Sequence, residues 1–144
     1  MKQLSKITSF FAFPMTVLFA HLAASKVLNL YTIFPNLDIL SHYLGGLSIA
    51  YTSSQILFYL EEEKIITDPL NKWIFLLLIF SLTATAAVFW EFAEFIGDRL
   101  FDTNIQISLA NTMQDQFMGI LGGSTWAFLC FRKFQKTKES YIPR

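Results

Sequence analysis

Residues 73–90 read WIFLLLIFSLTATAAVFW, a run of eighteen residues without a charged side chain. Because a helix rises ~1.5 Å per residue, the run extends over ~27 Å, close to the ~30 Å hydrocarbon core of a bilayer. The chain then continues as EFAEFIGD over residues 91–98. This stretch therefore predicts a transmembrane helix that carries acidic residues near one end.

Three further apolar stretches accompany it, in a chain of 144 residues with 53% hydrophobic content and 16 Phe. Long continuous apolar runs fit membrane helices, whereas a membrane barrel would show short strands of alternating polarity. The sequence predicts an all-α fold, an integral membrane bundle that forms a single domain over residues 1–144. Its transmembrane helices are predicted at about residues 7–30, 37–60, 70–98 and 112–131.

Lysine and arginine residues are shared unevenly between the two faces of this four-pass arrangement. Only Lys26 and Arg99 fall on the face opposite the termini. The other nine fall on the terminal side: Lys2, Lys6, Lys64, Lys72, Arg132, Lys133, Lys136, Lys138 and Arg144. Because short cytoplasmic segments are enriched in Lys and Arg, we expect a multi-pass protein of the cell membrane with both termini in the cytoplasm.

The first apolar stretch has a second interpretation as a secretory signal. Lys2 and Lys6 precede its apolar core, and the small residues 23–25, Ala-Ala-Ser, suit a cleavage site. A retained helix and a cleaved signal both stay open at this point.

Polar residues recur at one depth of the bundle, near its non-cytoplasmic face. Glu91 lies ~27 Å along its helix from Trp73, and the second and fourth helices begin at the same level. Residues three or four apart share a helix face. The resulting stripes are Asp38 and His42; Glu91, Glu94 and Asp98; and Asn111 and Asp115. Glycines at 45, 46, 119, 122 and 123 would let the helix backbones approach closely, so we expect the stripes to meet.

The acids of the third helix occupy its last turns, where the helix macrodipole is negative. They need compensation from Lys26 and Arg99, from protonation, or from a bound divalent cation. Carboxylates with one imidazole suit Mg, Mn, Zn or Fe. The predicted metal ligands are Asp38, His42, Glu91, Glu94 and Asp115, and the predicted rim is Asp98, Arg99 and Asn111.

Simpler interpretations exist for several of these residues. Thr112 and Asp115 have the spacing of a helix capping box, and Asp38 would favour a helix N-terminus. His42 would serve as a neutral hydrogen-bonding residue. The three tryptophans, Trp73, Trp90 and Trp126, would be interface anchors or lipid-facing packing residues.

Three separated blocks of sequence resemble a known family. They are Asp38-x-x-x-His42-x-x-x-Gly46, Phe89-Trp90-Glu91-Phe92-Ala93-Glu94 and Asn111-Thr112-x-x-Asp115. With the glycine-rich stretch that follows, they resemble the YjdF-type family of small, uncharacterised bacterial and archaeal membrane proteins. More distantly they resemble VanZ-like proteins, which are associated with teicoplanin resistance. The resemblance covers about residues 38–123 and implies a shared polar site without a named reaction. Asn111 stands where the resemblance leads us to expect an acid.

Composition narrows the classes of function. The net charge is zero and no long basic segment is present, so a nucleic-acid partner is not expected. Cys130 is the only cysteine and lies in an apolar run, where we interpret it as a packing residue. The sequence contains no glycine-rich phosphate loop or dinucleotide fingerprint.

Three hypotheses remain for the polar site. An enzyme would hydrolyse or transfer groups on a lipid headgroup or cell-envelope precursor, with Glu91, Glu94 and His42 as catalytic residues and membrane lipid as partner. A transporter would relay protons or cations through the same carboxylates, and four helices would then require a homo-oligomer. An accessory subunit would use its polar groups only to fix the register of the helices.

Overall fold

The computed structural model describes residues 2–28, 30–34 and 36–139, and the side chains of residues 6–131 except those of Lys26, Asn29 and Pro35. The described chain is helical and contains no strand, which confirms the all-α prediction. Its helices are α1 (Lys2–Phe10), α2 (Ala12–Leu22), α3 (Leu30–Ile33), α4 (Asn36–Glu62), α5 (Lys72–Phe101) and α6 (Leu109–Glu139). The Lys26 side chain and the basic side chains from residue 132 onward, which entered the charge count, lie outside the described residues.

The first apolar stretch differs from the single helix expected over residues 7–30. It breaks at Phe11, between α1 and α2, and α2 ends in a π-helical turn over Ala23–Val27. Pro14 supplies a physical reason for the break, because its ring would clash with the carbonyl of Phe10 in a continuous helix. The segment therefore packs as two short helices against α4.

The central helix α5 has a defined start and end. The Asn71 side chain caps its N-terminus by accepting a hydrogen bond from the Trp73 backbone N–H at 2.9 Å. Its C-terminus is closed by Asp102, whose φ of 51° lies in the left-handed region. The helix thus runs over 30 residues, ~45 Å at 1.5 Å per residue, and carries Glu91 and Glu94 in its C-terminal half.

Helices α4 and α6 contact each other backbone to backbone at glycine residues. A Cβ added to Gly46 would clash with the backbone carbonyl of Gly119, and one added to Gly122 would clash with the carbonyl of Tyr43. Gly45, which was expected to join this contact, instead has open space at its Cβ position. Direct backbone contact brings the first turns of α4 and α6 together and so positions the polar stripes that they carry.

The bundle buries several hydroxyl groups and exposes many large apolar side chains. Its buried serine and threonine residues are Ser48, Thr52, Ser53, Ser54 and Thr83. Its exposed large apolar side chains include Trp73, Leu77, Phe80, Phe117 and Phe128. An apolar exterior around a partly polar interior is what a hydrocarbon solvent favours.

Helix α5 alone among the described helices is both long and apolar enough to cross a membrane by these two criteria, and residues 12–25 form a shorter apolar helix. Helices α4 and α6 have 27 and 31 residues, which is ample length, but their sequences are interrupted by polar residues. In α4 many of those residues face the bundle interior, so they do not contact lipid. The molecule is an all-α membrane bundle, as the sequence predicted.

The apolar core lies in the half of the bundle away from the acidic stripes. It consists of Ala50, Leu57, Phe75, Ile79 and Cys130. Cys130 is 8% exposed within this cluster, which confirms its interpretation as a packing residue.

Candidate functional site

The His42 imidazole stands at the meeting point of three helices. On its own helix, Nε2 lies 3.6 Å from Oδ1 of Asp38, one turn earlier. Its Nδ1 lies 3.9 Å from Oε1 of Glu91 on α5, and Nε2 lies 3.9 Å from Oδ2 of Asp115 on α6. The three predicted stripes therefore converge on one side chain.

This cluster is deeply buried although it is rich in charge. The side chains of His42, Glu91 and Asp115 are 9%, 3% and 2% exposed. Asp38, at 25%, is the most accessible member of the His42 pairs. Buried carboxylates close to one another are costly unless a cation or a proton compensates them.

Several polar atoms of the cluster have no hydrogen-bond partner. They are Nε2 of His42, Oε1 of Glu91 and Oδ1 of Asp115, each shielded from solvent. Buried polar groups in folded proteins are nearly always satisfied, so three unsatisfied atoms around one imidazole are unusual. All three are atoms that coordinate metals.

Two overlapping groups of potential ligands have their donor atoms within 4.8 Å of one another. One comprises Asp38, His42 and Asp115; the other comprises His42, Glu91 and Glu94. His42 belongs to both. The five predicted ligands are thus brought together, with His42 as the common member.

A second layer of side chains holds these carboxylates in place. Gln106 donates from Nε2 to both the backbone carbonyl and Oε2 of Glu91, at 2.9 and 3.0 Å. Asn111 donates from Nδ2 to Oδ2 of Asp115 at 2.7 Å. The other oxygen of the Glu91 carboxylate, Oε1, faces the imidazole of His42. Asn111, predicted as a rim residue, is half-buried and contacts Asp115 directly.

Trp90 and Gln106 are the contributors that sequence reasoning missed. Trp90 was interpreted as an interface anchor or lipid-facing residue, yet its Nε1 donates to Oε1 of Glu94 at 2.8 Å. The i,i+4 spacing of the two residues on α5 was a signal that could have revealed this contact. Gln106 lies in the loop before α6, where no periodic pattern indicates a direction.

The other two tryptophans differ from each other. Trp126 donates to the hydroxyl of Ser54 at 3.0 Å and packs edge-on against Tyr51, so it is an interior residue rather than an interface anchor. Trp73 is 62% exposed at the start of α5, as an anchor at the membrane boundary would be.

Asp98 organises the loop that carries Gln106. Its Oδ1 accepts from the hydroxyl of Thr103 and from the backbone N–H of Ile105, both at 2.7 Å, and its Oδ2 accepts from the N–H of Gln106 at 2.9 Å. The carboxylate expected at the rim thus fixes the 103–106 segment. Arg99 is exposed, with its guanidinium 5.4 Å from the centre of the Phe95 ring.

The capping interpretation of Asp115 is wrong. Helix α6 begins at Leu109, and the hydroxyl of Ser108 accepts from the Asn111 N–H at 3.2 Å, so Thr112 lies within the first turns. Asp115 follows in the second turn and is buried. A carboxylate at this place contributes to the cluster and not to the helix end.

A short hydrogen-bonded chain borders the cluster on the side of α2. Nδ1 of His21 lies 2.9 Å from the hydroxyl of Tyr31, which lies 2.6 Å from the hydroxyl of Ser41 on α4. Burial raises the pKa of Tyr31, so its hydroxyl stays protonated near neutral pH. The His21 ring also packs edge-on against Trp90, at 5.5 Å between ring centres. These contacts fasten α2 and α3 to the helices that carry the site.

Fold and site together define a small helical membrane protein with a buried carboxylate–histidine cluster near one end of its bundle. The chain belongs to the family described as "Predicted membrane protein (DUF2238)", whose profile matches residues 3–136. This agrees with the resemblance to YjdF-type proteins, whereas the more distant resemblance to VanZ-like proteins stays a prediction.

One relative is an uncharacterised protein of Thermotoga maritima, 32% identical over 116 residues. The match covers 80% of this chain and 58% of that protein, so the chain spans little more than half the length of its relative. No solved structure matches the chain.

Proposed function

We propose that the cluster around His42 binds a divalent metal ion, and that the protein uses this metal to hydrolyse or transfer a phosphate-linked lipid headgroup or cell-envelope precursor. One observation supports the metal most strongly: three shielded ligand atoms, on His42, Glu91 and Asp115, have no hydrogen-bond partner, and both carboxylates approach the imidazole to 3.9 Å. A cation bound among these side chains would neutralise the surrounding carboxylates.

The arrangement of second-layer contacts also supports a metal. Gln106 holds one oxygen of the Glu91 carboxylate while the other oxygen faces the imidazole. Asn111 holds Oδ2 of Asp115, the oxygen that lies nearest to His42. Metal ligands in proteins are commonly oriented in this way by outer hydrogen bonds. An accessory subunit would instead pair its buried polar groups internally, and the unsatisfied atoms count against that alternative.

Each residue has a defined role in this proposal. Asp38, His42, Glu91 and Asp115 would hold the metal, which would supply polarisation of a phosphoryl oxygen of the substrate. Glu94, oriented by Trp90, accepts the proton of the attacking water. The new P–O bond forms as the headgroup P–O bond breaks, and Glu94 returns its proton to the leaving oxygen.

The transporter hypothesis receives less support from the interior of the bundle. Toward the opposite face, the hydroxyls of Ser48, Thr52 and Thr83 donate to backbone carbonyls of Gly45, Phe10 and Ile79. The buried charged side chains of the described residues, Glu91, Glu94 and Asp115, all lie in the cluster, so no further carboxylate is available to relay a proton toward that face.

Metal-dependent stability tests the proposal. We expect Mn²⁺ or Zn²⁺, added to metal-stripped protein in detergent, to stabilise the wild type by about 2.7 kcal/mol at a concentration 100-fold above Kd. Glu91→Gln and His42→Ala should lose this stabilisation. Without metal, Glu91→Gln should be at least as stable as the wild type, because it removes a buried charge beside other acids.

Asp68→Asn is the matched control, since it removes an exposed carboxylate remote from the cluster. It should respond to metal as the wild type does. Release of water-soluble phosphate from phospholipid vesicles by the metal-loaded protein, abolished in Glu94→Gln, would support the catalytic step. Equal metal stabilisation of the wild type and Glu91→Gln would overturn the metal site.

A further inference from the structure

A long cavity begins directly beside the His42 cluster. It has a volume of about 450 Å³ and lies between α2, α4 and α5. Along α4 its lining extends from Ser41 to Ile56, fifteen residues apart, which corresponds to ~22 Å at the rise of a helix. The cavity therefore runs parallel to the helices over more than half of a ~30 Å hydrocarbon core.

The residues that line the cavity are mostly apolar. Phe11, Met15, Leu18 and Ile49 contribute large hydrophobic side chains. Five serine and threonine residues also line it: Ser41, Ser48, Thr52, Ser53 and Thr83. Three of them, Ser48, Thr52 and Thr83, donate their hydroxyl protons to backbone carbonyls at 2.7 or 2.8 Å. Over this length the cavity suits a hydrocarbon chain better than water or an ion.

One end of the cavity is different in character. His21, Ser41, His42 and Trp90 line it there, and His42 is also the common member of the two groups of potential metal ligands. The edge-on packing of His21 against Trp90 joins α2 to α5 at this end. The cavity thus has a polar head and an apolar tail.

The cavity also has a side facing the surrounding lipid. Phe11 and Met15 line the cavity and are themselves 47% and 43% exposed, so the apolar wall of the cavity reaches the outer surface of the bundle. A chain from the bilayer can therefore enter sideways without crossing a polar surface.

We infer that the cavity holds one hydrocarbon chain of a lipid substrate, whose phosphate group is bound by the metal at the His42 cluster. The inference rests on the proposed function and names its substrate class, a phosphate ester that carries a long hydrocarbon chain. The acidic cluster alone would repel a phosphate, whereas the metal-loaded cluster would attract it.

Gly45 offers a selective way to test the chain site. It lines the cavity, and a Cβ added there would meet nothing within 4 Å, so a larger side chain can fill the cavity without disturbing helix packing. Gly97 on α5 is the matched control, because its Cβ position is equally open and it does not line the cavity.

The experiment measures binding of hexadecyl phosphate to the detergent-purified, Mn²⁺-loaded chain by thermal unfolding over a concentration series. We expect Gly45→Leu to weaken this binding by about tenfold or more, while Gly97→Leu and Gly45→Ala bind as the wild type does. Inorganic phosphate should bind all of these proteins equally and more weakly, because it has no chain.

Two outcomes would overturn the inference. Equal binding of hexadecyl phosphate by Gly45→Leu and the wild type would show that the chain lies elsewhere, for example on the general lipid-facing surface. Inorganic phosphate that binds as tightly as hexadecyl phosphate would show that the chain contributes nothing.

Metal content measured in the same samples separates the two proposals. Gly45→Leu should keep its metal, because Gly45 provides no ligand. Suppose that the wild type holds no metal, yet binds hexadecyl phosphate, and that Gly45→Leu abolishes this binding. The chain site would then be supported and the proposed function would not. If metal is bound and Gly45→Leu binds hexadecyl phosphate as the wild type does, the metal site would be supported and the chain site would not.

Discussion

His42 shows at the residue scale how much of the cluster follows from sequence. The i,i+4 spacing to Asp38 and the i,i+3 spacing of Glu91 and Glu94 place each set on one helix face, and helical rise gives them a common depth. Those two rules placed at one level the residues that lie close together in the structure. They could not supply the rotation of each helix, so the central position of His42 was visible only in the structure.

The contact between Gln106 and Glu91 could not be predicted from residue spacing. It lies in a loop whose path is set by backbone hydrogen bonds to Asp98, so its contact with Glu91 depends on tertiary structure. Asp98 was interpreted as a rim residue because it continues the stripe of acids on α5. A helix pattern cannot show that its carboxylate turns toward the following loop.

Gln106 also provides a test of how Glu91 is held. We expect Gln106→Ala to weaken metal binding by about 10–100-fold, because the carboxylate loses the hydrogen bond that orients it. Isothermal metal titration of the detergent-purified protein measures this change. Gln114→Ala, an exposed glutamine on α6, is the control and should bind metal as the wild type does. An unaltered affinity in Gln106→Ala would mean that Glu91 is oriented without it.

At the scale of elements, contact between α4 and α6 determines whether the polar stripes meet. The sequence indicated that glycines would allow close approach, and Gly46 and Gly122 do so. It could not distinguish Gly45 from Gly46, since adjacent positions on a helix differ by ~100° of rotation and only packing selects between them. The break at Phe11 was missed because apolarity alone does not report a kink, although Pro14 was the available signal.

The two adjacent glycines make a sharp stability test. We expect Gly46→Ala to destabilise the bundle by about 1–3 kcal/mol, because the added methyl group meets the backbone of Gly119, which cannot move away as a side chain would. Gly45→Ala should be neutral or up to about 1 kcal/mol more stable, through better helix propensity. Thermal unfolding in detergent compares the two, and equal stabilities would contradict the close α4–α6 contact.

For the whole molecule, the distribution of side chains separates a membrane bundle from a soluble one. Composition showed only a high apolar content. It could not show that phenylalanines are exposed and hydroxyl groups are buried. The orientation in the membrane rests on the count of basic residues and stays a prediction. It places the His42 cluster near the extracytoplasmic face and the loop at residues 63–71 in the cytoplasm.

Cysteine accessibility tests that orientation. In a Cys130→Ser background, Asn104→Cys should react with a membrane-impermeant maleimide in intact cells, because its loop is predicted to lie outside. Thr67→Cys should react only after the cells are permeabilised. Both positions are exposed in the structure, so a difference in labelling reports sidedness rather than burial. The opposite pattern would place the cluster at the cytoplasmic face.

Elemental analysis of the purified protein measures whether a metal is bound around His42. We expect about one divalent metal ion per chain in the wild type and in Asp68→Asn, and its loss in both Glu91→Gln and His42→Ala. Metal at the same level in Glu91→Gln and His42→Ala, or none in the wild type after purification without chelators and after incubation with Mn²⁺, Zn²⁺, Fe²⁺ and Mg²⁺, would contradict it.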